Sequence, residues 1–158
     1  MSATTMSSEL TEVLGQLMQR AGPGQQQLLM ALAERMAADR YRAWADNESG
    51  ERRAALLGCA GREEEVARRI ESLHAEAGTV QAQIRAQNPD LGDLARAFFA
   101  RFSVDEQYRL QAQAERLGAA TWRSLAKRSD DAAQREVFLT CAALEEESAV
   151  VLESFGPR

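Results

Sequence analysis

The sequence predicts an all-α protein, and three observations support this prediction. The chain has 29 alanines but only 9 valines and isoleucines together. Alanine loses no side-chain freedom in a helix, whereas strands favour β-branched side chains, so this balance favours helices. Only 3 prolines interrupt the 158 residues, and hydrophobic residues recur at helical spacing. With 45% hydrophobic and 27% charged residues, the composition is that of one folded domain of ordinary size.

Capping residues and helix breakers justify each helix in turn. Ser8 can cap a short amphipathic helix after residues 1–8, which are expected to be disordered. Gly22-Pro23-Gly24 ends that helix, a polar turn separates the next two helices, and Asn88-Pro89-Asp90 interrupts the long connection that follows. The predicted helices lie at about 9–20, 25–45, 52–77, 94–102 and 104–128, and the last one runs from the Ser129-Asp130-Asp131 segment to about 154.

An internal repeat relates the two halves of the predicted domain, which spans residues 9–158. One constant shift in residue number aligns Ala31-x-Ala33-Glu34-Arg35 with Ala112-x-Ala114-Glu115-Arg116. A second shift, longer by a single position, aligns Leu57-x-Cys59-Ala60 with Leu139-x-Cys141-Ala142. Because both helices of both hairpins match in order, we predict a duplicated helical hairpin, at about 25–78 and 104–155, joined by a long crossover.

Each of the four long helices places one glutamate on its core-facing side. At about 100° per residue, Glu63 and Glu145 lie in the middle of the apolar stripes of their helices, and Glu34 and Glu115 lie on the stripes of the other two. An ionised carboxylate buried without a partner costs several kcal/mol, and four together repel one another. Metal cations, protons or inward-folded arginines must therefore neutralise them. Three aromatic residues on these stripes are expected to pack in the core, with a role beside the carboxylates as the alternative: Tyr41, Tyr108 and Trp122.

The pattern around these glutamates resembles that of the ferritin-like superfamily, and of its rubrerythrin-like branch in particular. In that branch a ligand glutamate is followed seven residues later by tyrosine, as Glu34 is followed by Tyr41. The second helix of the branch carries Glu-x-x-His-Ala; here Val66 and Ser148 stand in place of the two histidines, and no rubredoxin-like Cys-x-x-Cys pair is present. The resemblance covers about residues 25–155 and implies a ferritin-like four-helix bundle, to which this chain adds the N-terminal helix.

The resemblance implies a divalent-metal centre at Glu34, Glu63, Glu115 and Glu145. It implies that Glu34 and Glu115 are terminal ligands, and Glu63 and Glu145 bridging ligands, of two iron or manganese ions that perform oxygen, peroxide or metal-oxidation chemistry. Carboxylate oxygens suit such hard ions even without histidine. The alternative is a metal-free, degenerate bundle with a structural or partner-binding role. Its glutamates would be neutralised by water or by arginines near them in sequence, namely Arg35, Arg42 and Arg116.

Charge, hydropathy and cysteine content limit the partners of the protein. A net charge of -5 and a pI near 5.0 disfavour nucleic acid, and the longest uncharged stretch, at positions 21–33, is too short to span a membrane. Cys59 and Cys141 are expected to be buried, reduced thiols, as is typical of the cytoplasm. A homodimer is expected through one of two apolar segments. The first is the segment at positions 94–99. The second is the row of apolar residues Leu29, Leu32 and Met36 on one side of their helix, unless the N-terminal helix covers this row.

Overall fold

The computed structural model of the chain describes residues 2–157, which form seven α-helices and no strand. Met1, the first residue of the predicted disordered segment, and Arg158, the last of the predicted domain, lie outside the described residues. The all-α prediction is confirmed for the described part of the chain. Within it, no helix is long and apolar enough to cross a membrane. The helices are α1 (Ala3–Met18), α2 (Gln26–Ala45), α3 (Gly50–Glu71), α4 (Ala77–Gln87), α5 (Leu91–Phe99), α6 (Val104–Arg128) and α7 (Ala132–Glu153), with a 3-10 turn at Pro23–Gln25.

Helix α1 begins at Ala3, six residues before its predicted start. Residues 3–8, which were expected to be disordered, form its first turns. The cap is Ser2 rather than Ser8: the Ser2 hydroxyl accepts a hydrogen bond from the Thr5 N–H at 3.3 Å. Met6, in these first turns, is only 6% exposed and packs in the core. Its burial stabilises turns that the Ser/Thr-rich composition does not favour by itself.

Helix α4 lies in the connection for which no helix was predicted, and α3 is shorter than predicted. Helix α3 ends at Glu71 rather than near residue 77. Helix α4 then packs against α2, where Ile84 is 1% exposed and the Gln81 amide donates to the Leu28 carbonyl oxygen at 3.3 Å. Because Gln81 and Ile84 are its only buried residues, α4 has too few apolar positions for a clear helical pattern.

The long helices α2, α3, α6 and α7 form two antiparallel pairs with matching ion pairs. In each pair, two arginines of the first helix contact two glutamates of the second. The first shift of the sequence repeat relates the corresponding arginines, and the second shift relates the corresponding glutamates. Helix α3 packs against α7 and so joins the two pairs. The ion pairs are Arg35–Glu71 and Arg42–Glu64, both at 2.6 Å, and Arg116–Glu153 and Arg123–Glu146, at 2.8 and 2.7 Å.

Two hydrophobic clusters fill the ends of the paired helices and leave a polar layer between them. The first cluster contains Trp44 and Tyr108, and the second contains Ile70 and Trp122. Along each of the four long helices, the glutamate predicted to face the core lies between residues of the first cluster and residues of the second. Packing at both ends therefore holds the four glutamates at one level.

The apolar segments considered for a dimer interface are largely covered within the chain. Leu29 is fully buried and Leu32 is 3% exposed, and both pack with Leu17 of α1 and Ile84 of α4. The two phenylalanines of α5 are also buried. Helices α1 and α4 thus cover Leu29 and Leu32 on α2 within the chain. The homodimer stays a prediction.

Candidate metal centre

The four predicted glutamates converge in the polar layer between the two hydrophobic clusters. Glu63, Glu115 and Glu145 are at most 2% exposed. Glu34 is partly exposed, because it also lines a cavity. One carboxylate oxygen from each of Glu34, Glu63 and Glu145 lies within 4.8 Å of the other two. Three oxygens at this spacing can ligate one divalent cation after small side-chain adjustments.

Glu115 belongs to the same layer but has different partners. Its Oε1 accepts hydrogen bonds from the Tyr41 hydroxyl and from the Gln111 amide, both at 2.7 Å. Besides burial, the negative charge of Glu115 helps to raise the pKa of the Glu145 carboxyl group. Neutral donors therefore hold Glu115 beside the group of three carboxylates.

A glycine and a tryptophan of α6 determine the position of Glu145. Trp122 donates from Nε1 to Oε1 of Glu145 at 2.8 Å. One turn earlier in α6, a Cβ added at Gly118 would lie only 2.7 to 2.9 Å from three atoms of the Glu145 carboxyl group. The absence of a side chain at Gly118 thus provides the space that this carboxyl group occupies.

Ser148 takes one of the two positions where the resembling family has histidine, and it binds a glutamate. Its hydroxyl donates to Oε1 of Glu63 at 2.9 Å and accepts from Nε of Arg62 at 3.2 Å. Val66, at the other histidine position, is fully buried and offers no side-chain donor. Oε2 of Glu63 is also buried and has no hydrogen-bond partner among the described residues. A proton or a cation is needed to satisfy this oxygen.

Burial and mutual repulsion raise the pKa values of three carboxyl groups. Burial, followed by the negative charge of Glu115, raises the pKa of Glu34 from 4.5 to about 7. Burial, reinforced by the neighbouring carboxylates, raises the pKa values of Glu63 and Glu145 well above the usual range. In the absence of a cation, protons therefore occupy part of this layer near neutral pH.

Arg40, which was not among the predicted neutralising arginines, is the arginine whose charge acts on this layer. Its positive charge acts on three of the carboxylates, those of Glu115, Glu63 and Glu34, and burial lowers its own pKa from 12.5 to about 10. The guanidinium group donates from Nε to Gln111 at 3.0 Å and stacks over the Phe99 ring at 4.0 Å. A single buried cation offsets only part of the charge of four carboxylates.

The expectation that Arg35, Arg42 or Arg116 turns inward is wrong. At about 100° per residue, Arg35 and Arg42 lie to one side of Glu34, towards α3, whereas Arg40 lies on the other side, towards α6. Arg35 and Arg42 therefore pair with glutamates of α3, and Arg116 pairs with a glutamate of α7. These ion pairs lie at the edges of the helix pairs, outside the carboxylate layer.

The remaining candidate side chains divide between core packing and the layer itself. Tyr41 and Trp122 are fully buried, as expected for core residues, and each also donates a hydrogen bond to a glutamate of the layer. Core packing and a role beside the carboxylates are therefore combined in these two side chains. Cys59 and Cys141 are buried free thiols, and burial raises the pKa of Cys141 to about 12. The single histidine of the sequence, His74, was not predicted as a ligand; it lies beyond the end of α3, where its Nε2 is 3.0 Å from the Gln27 side-chain oxygen.

A cavity of about 310 Å³ lies between α1, α2 and α6 and reaches the carboxylates. Glu34, Glu115 and Glu145 line it, together with Arg40 and Gln111. The sequence does not predict this cavity, because its outer wall depends on how α1 packs across α2 and α6. Comparisons of this chain with protein-family models, curated proteins and solved structures find no significant match.

Proposed function

We propose that this chain is a ferritin-like, rubrerythrin-like four-helix bundle that binds divalent metal through Glu34, Glu63, Glu115 and Glu145. One observation carries the proposal: three carboxyl groups approach one another, and one of them, that of Glu63, has a buried oxygen without a hydrogen-bond partner among the described residues. A divalent cation would give that oxygen a partner and would offset the repulsion between the carboxylates.

The matching ion pairs support the duplicated hairpin within this proposal. The same two shifts that define the sequence repeat map the ion pairs of one hairpin onto those of the other, so each pair links the same two turns of its hairpin. Two such hairpins, joined by the crossover that contains α4 and α5, give the predicted bundle. Helix α1 is the N-terminal helix that this chain adds to the four-helix bundle.

Charge balance favours two iron or manganese ions, because two divalent cations neutralise four carboxylates. A carboxylate oxygen of Glu145 lies within 4.8 Å of one from Glu34, and the charges of both Glu34 and Glu115 act on Glu145, which supports a bridging role for it. Trp122 and Ser148 each hold one carboxylate by a hydrogen bond, and such support orients metal ligands. When bound, the metal would supply oxygen, peroxide or metal-oxidation chemistry.

The second candidate is a metal-free bundle with a structural or partner-binding role. A specific observation favours it: carboxylate oxygens of Glu34 and Glu63 lie within 4.8 Å of each other, and burial raises the pKa values of both groups, so protons can take the place of a cation. Val66 and Ser148 also remove the two neutral histidine donors that the resembling family uses. In this case the polar layer is held by protons, by Arg40 and by hydrogen bonds alone.

Metal analysis of protein purified without chelator separates the two candidates. We expect two equivalents of iron or manganese, lost in the double variant Glu63→Ala/Glu145→Ala. The matched control is Glu64→Ala/Glu146→Ala, which removes the neighbouring glutamates that form ion pairs outside the layer. If the protein is metal-free and the first double variant is as stable as the native chain or more stable, the metal-free candidate is correct.

A further inference from the structure

The cavity between α1, α2 and α6 combines apolar walls with an ionisable inner end. The walls come from all three helices: Leu14, Leu17 and Met18 of α1, Met30 of α2 and Leu117 of α6. Leu117 is 42% exposed although it lines the cavity, so the cavity is open to solvent on this side. An apolar space that the chain leaves unfilled is unfavourable for packing, and an occupant would recover the lost contacts.

Arg40, Gln111 and Glu115, at the inner end, are already hydrogen-bonded in a chain. Arg40 donates to Gln111, and Gln111 donates to Glu115. Glu145 accepts from Trp122. An anionic ligand would be repelled by the carboxylates of Glu34, Glu115 and Glu145, and a ligand of either charge would have to be desolvated against apolar walls. An uncharged ligand avoids both costs.

We propose that this cavity binds a small, uncharged, largely apolar organic molecule and holds it against the carboxylate layer. The volume of about 310 Å³ is at the lower end of the range for small-molecule sites. Such sites combine apolar walls with a few convergent polar groups, as this cavity does. The cavity is thus a second site that adjoins the ligand set, and three of the four proposed ligands, Glu34, Glu115 and Glu145, line its inner end.

Two claims about this ligand rest on different observations: that it binds in the cavity, and that it is a substrate of the metal centre. That the ligand is a substrate of the centre rests on the proposed function. That it binds does not, because Glu63, whose unpartnered oxygen supports the metal site, does not line the cavity. Replacing Glu63 therefore tests the metal site and leaves the cavity intact.

The test is a fluorescence titration of the full chain with N-phenyl-1-naphthylamine, an uncharged aromatic probe. We expect saturable binding at one site. Gly15→Leu and Ala114→Leu, which fill the cavity, should weaken it by about tenfold or more. Both residues line the cavity, and a Cβ at Gly15 meets no atom within 4 Å. The matched control is Gly61→Leu in α3, which also meets no atom within 4 Å and lies outside the cavity.

Two further measurements make each outcome decisive. 1-Anilinonaphthalene-8-sulfonate has the same aromatic framework with an added negative charge, and we expect it to bind about tenfold more weakly or worse. Glu63→Ala should bind the uncharged probe as the native chain does, whatever its metal content. The proposal is overturned if the probe does not saturate, if the filled variants bind it equally well, or if the sulfonate binds as tightly. Urea unfolding midpoints confirm that each variant is folded.

Discussion

Replacing Gly118 by alanine tests most sharply how the carboxylate layer is packed. In an unobstructed helix interior this change stabilises a protein, because glycine is about 0.5–1 kcal/mol less favourable there than alanine. At position 118, however, the new Cβ would lie 2.7 Å from Oε1, 2.8 Å from Oε2 and 2.9 Å from Cδ of Glu145. These distances are shorter than the optimal contact of about 3.5 Å, so the Glu145 carboxyl group has to move.

The movement has a cost that can be derived from the contacts of Glu145. It breaks the 2.8 Å hydrogen bond from Trp122, which is fully buried. Leaving a buried donor or acceptor without a partner costs about 1–3 kcal/mol, and both groups would be left inside the protein. After subtraction of the helix-propensity gain, we expect Gly118→Ala to lower the free energy of unfolding by about 1–2 kcal/mol.

Urea unfolding of the metal-free protein, followed by circular dichroism, measures this difference. Gly61→Ala is the control, because its new Cβ meets no atom within 4 Å and it should stabilise the chain by about 0.5–1 kcal/mol. Gly118→Ala should also weaken the binding of Mn²⁺, whereas Gly61→Ala should not. If both substitutions stabilise equally and the Trp122 fluorescence is unchanged, Glu145 does not lie against α6, and the described layer is refuted.

Three further predictions concern the charges and donors of this layer. Because the pKa of Glu34 rises from 4.5 to about 7, the folded protein holds more protons than the unfolded chain between these values. The stability of the metal-free protein should therefore fall by about 3 kcal/mol as the pH rises through this window, and urea unfolding should show that Mn²⁺ restores it at pH 8. Ser148→Ala removes a donor to Glu63 and should cost about 1–2 kcal/mol at pH 8, whereas the exposed Ser124→Ala should change the unfolding free energy by less than about 0.5 kcal/mol. Arg40→Gln removes the buried positive charge, so its loss of stability should be larger at pH 8 than at pH 5; equal losses at both pH values would contradict the role given to Arg40.

The long helices could be predicted because their signals are local. Ser103 caps α6 in a reciprocal arrangement with Glu106, and the Asp131 carboxylate accepts from the Gln134 N–H at 2.9 Å at the start of α7. The early start of α1 and the presence of α4 depend instead on single buried side chains, such as Met6 and Ile84. Such burial arises from tertiary packing, which local propensity does not encode.

The directions of the glutamates could be predicted from the helical period, but their partners could not. Tyr41 and Trp122 follow Glu34 and Glu115 by the same seven residues. Tyr41 nevertheless donates to Glu115 on α6, whereas Trp122 donates to Glu145 on α7. Which carboxylate each aromatic reaches depends on how closely the helices pack, and the spacing within one helix does not contain that information.

The layer of ionisable glutamates lies midway along the four long helices, and it changes where these helices unfold locally first. In most proteins the ends of a helix fray, and amide hydrogens at its centre exchange most slowly. Here the outer turns are anchored by aromatic clusters, whereas the central turns carry carboxylates that repel one another once protons and cations are removed. In alkaline, chelator-treated buffer, backbone amide hydrogens near Glu63 and Glu145 should therefore exchange with solvent before those one or two turns away. Local opening would then begin in the middle of the helices and not at their ends.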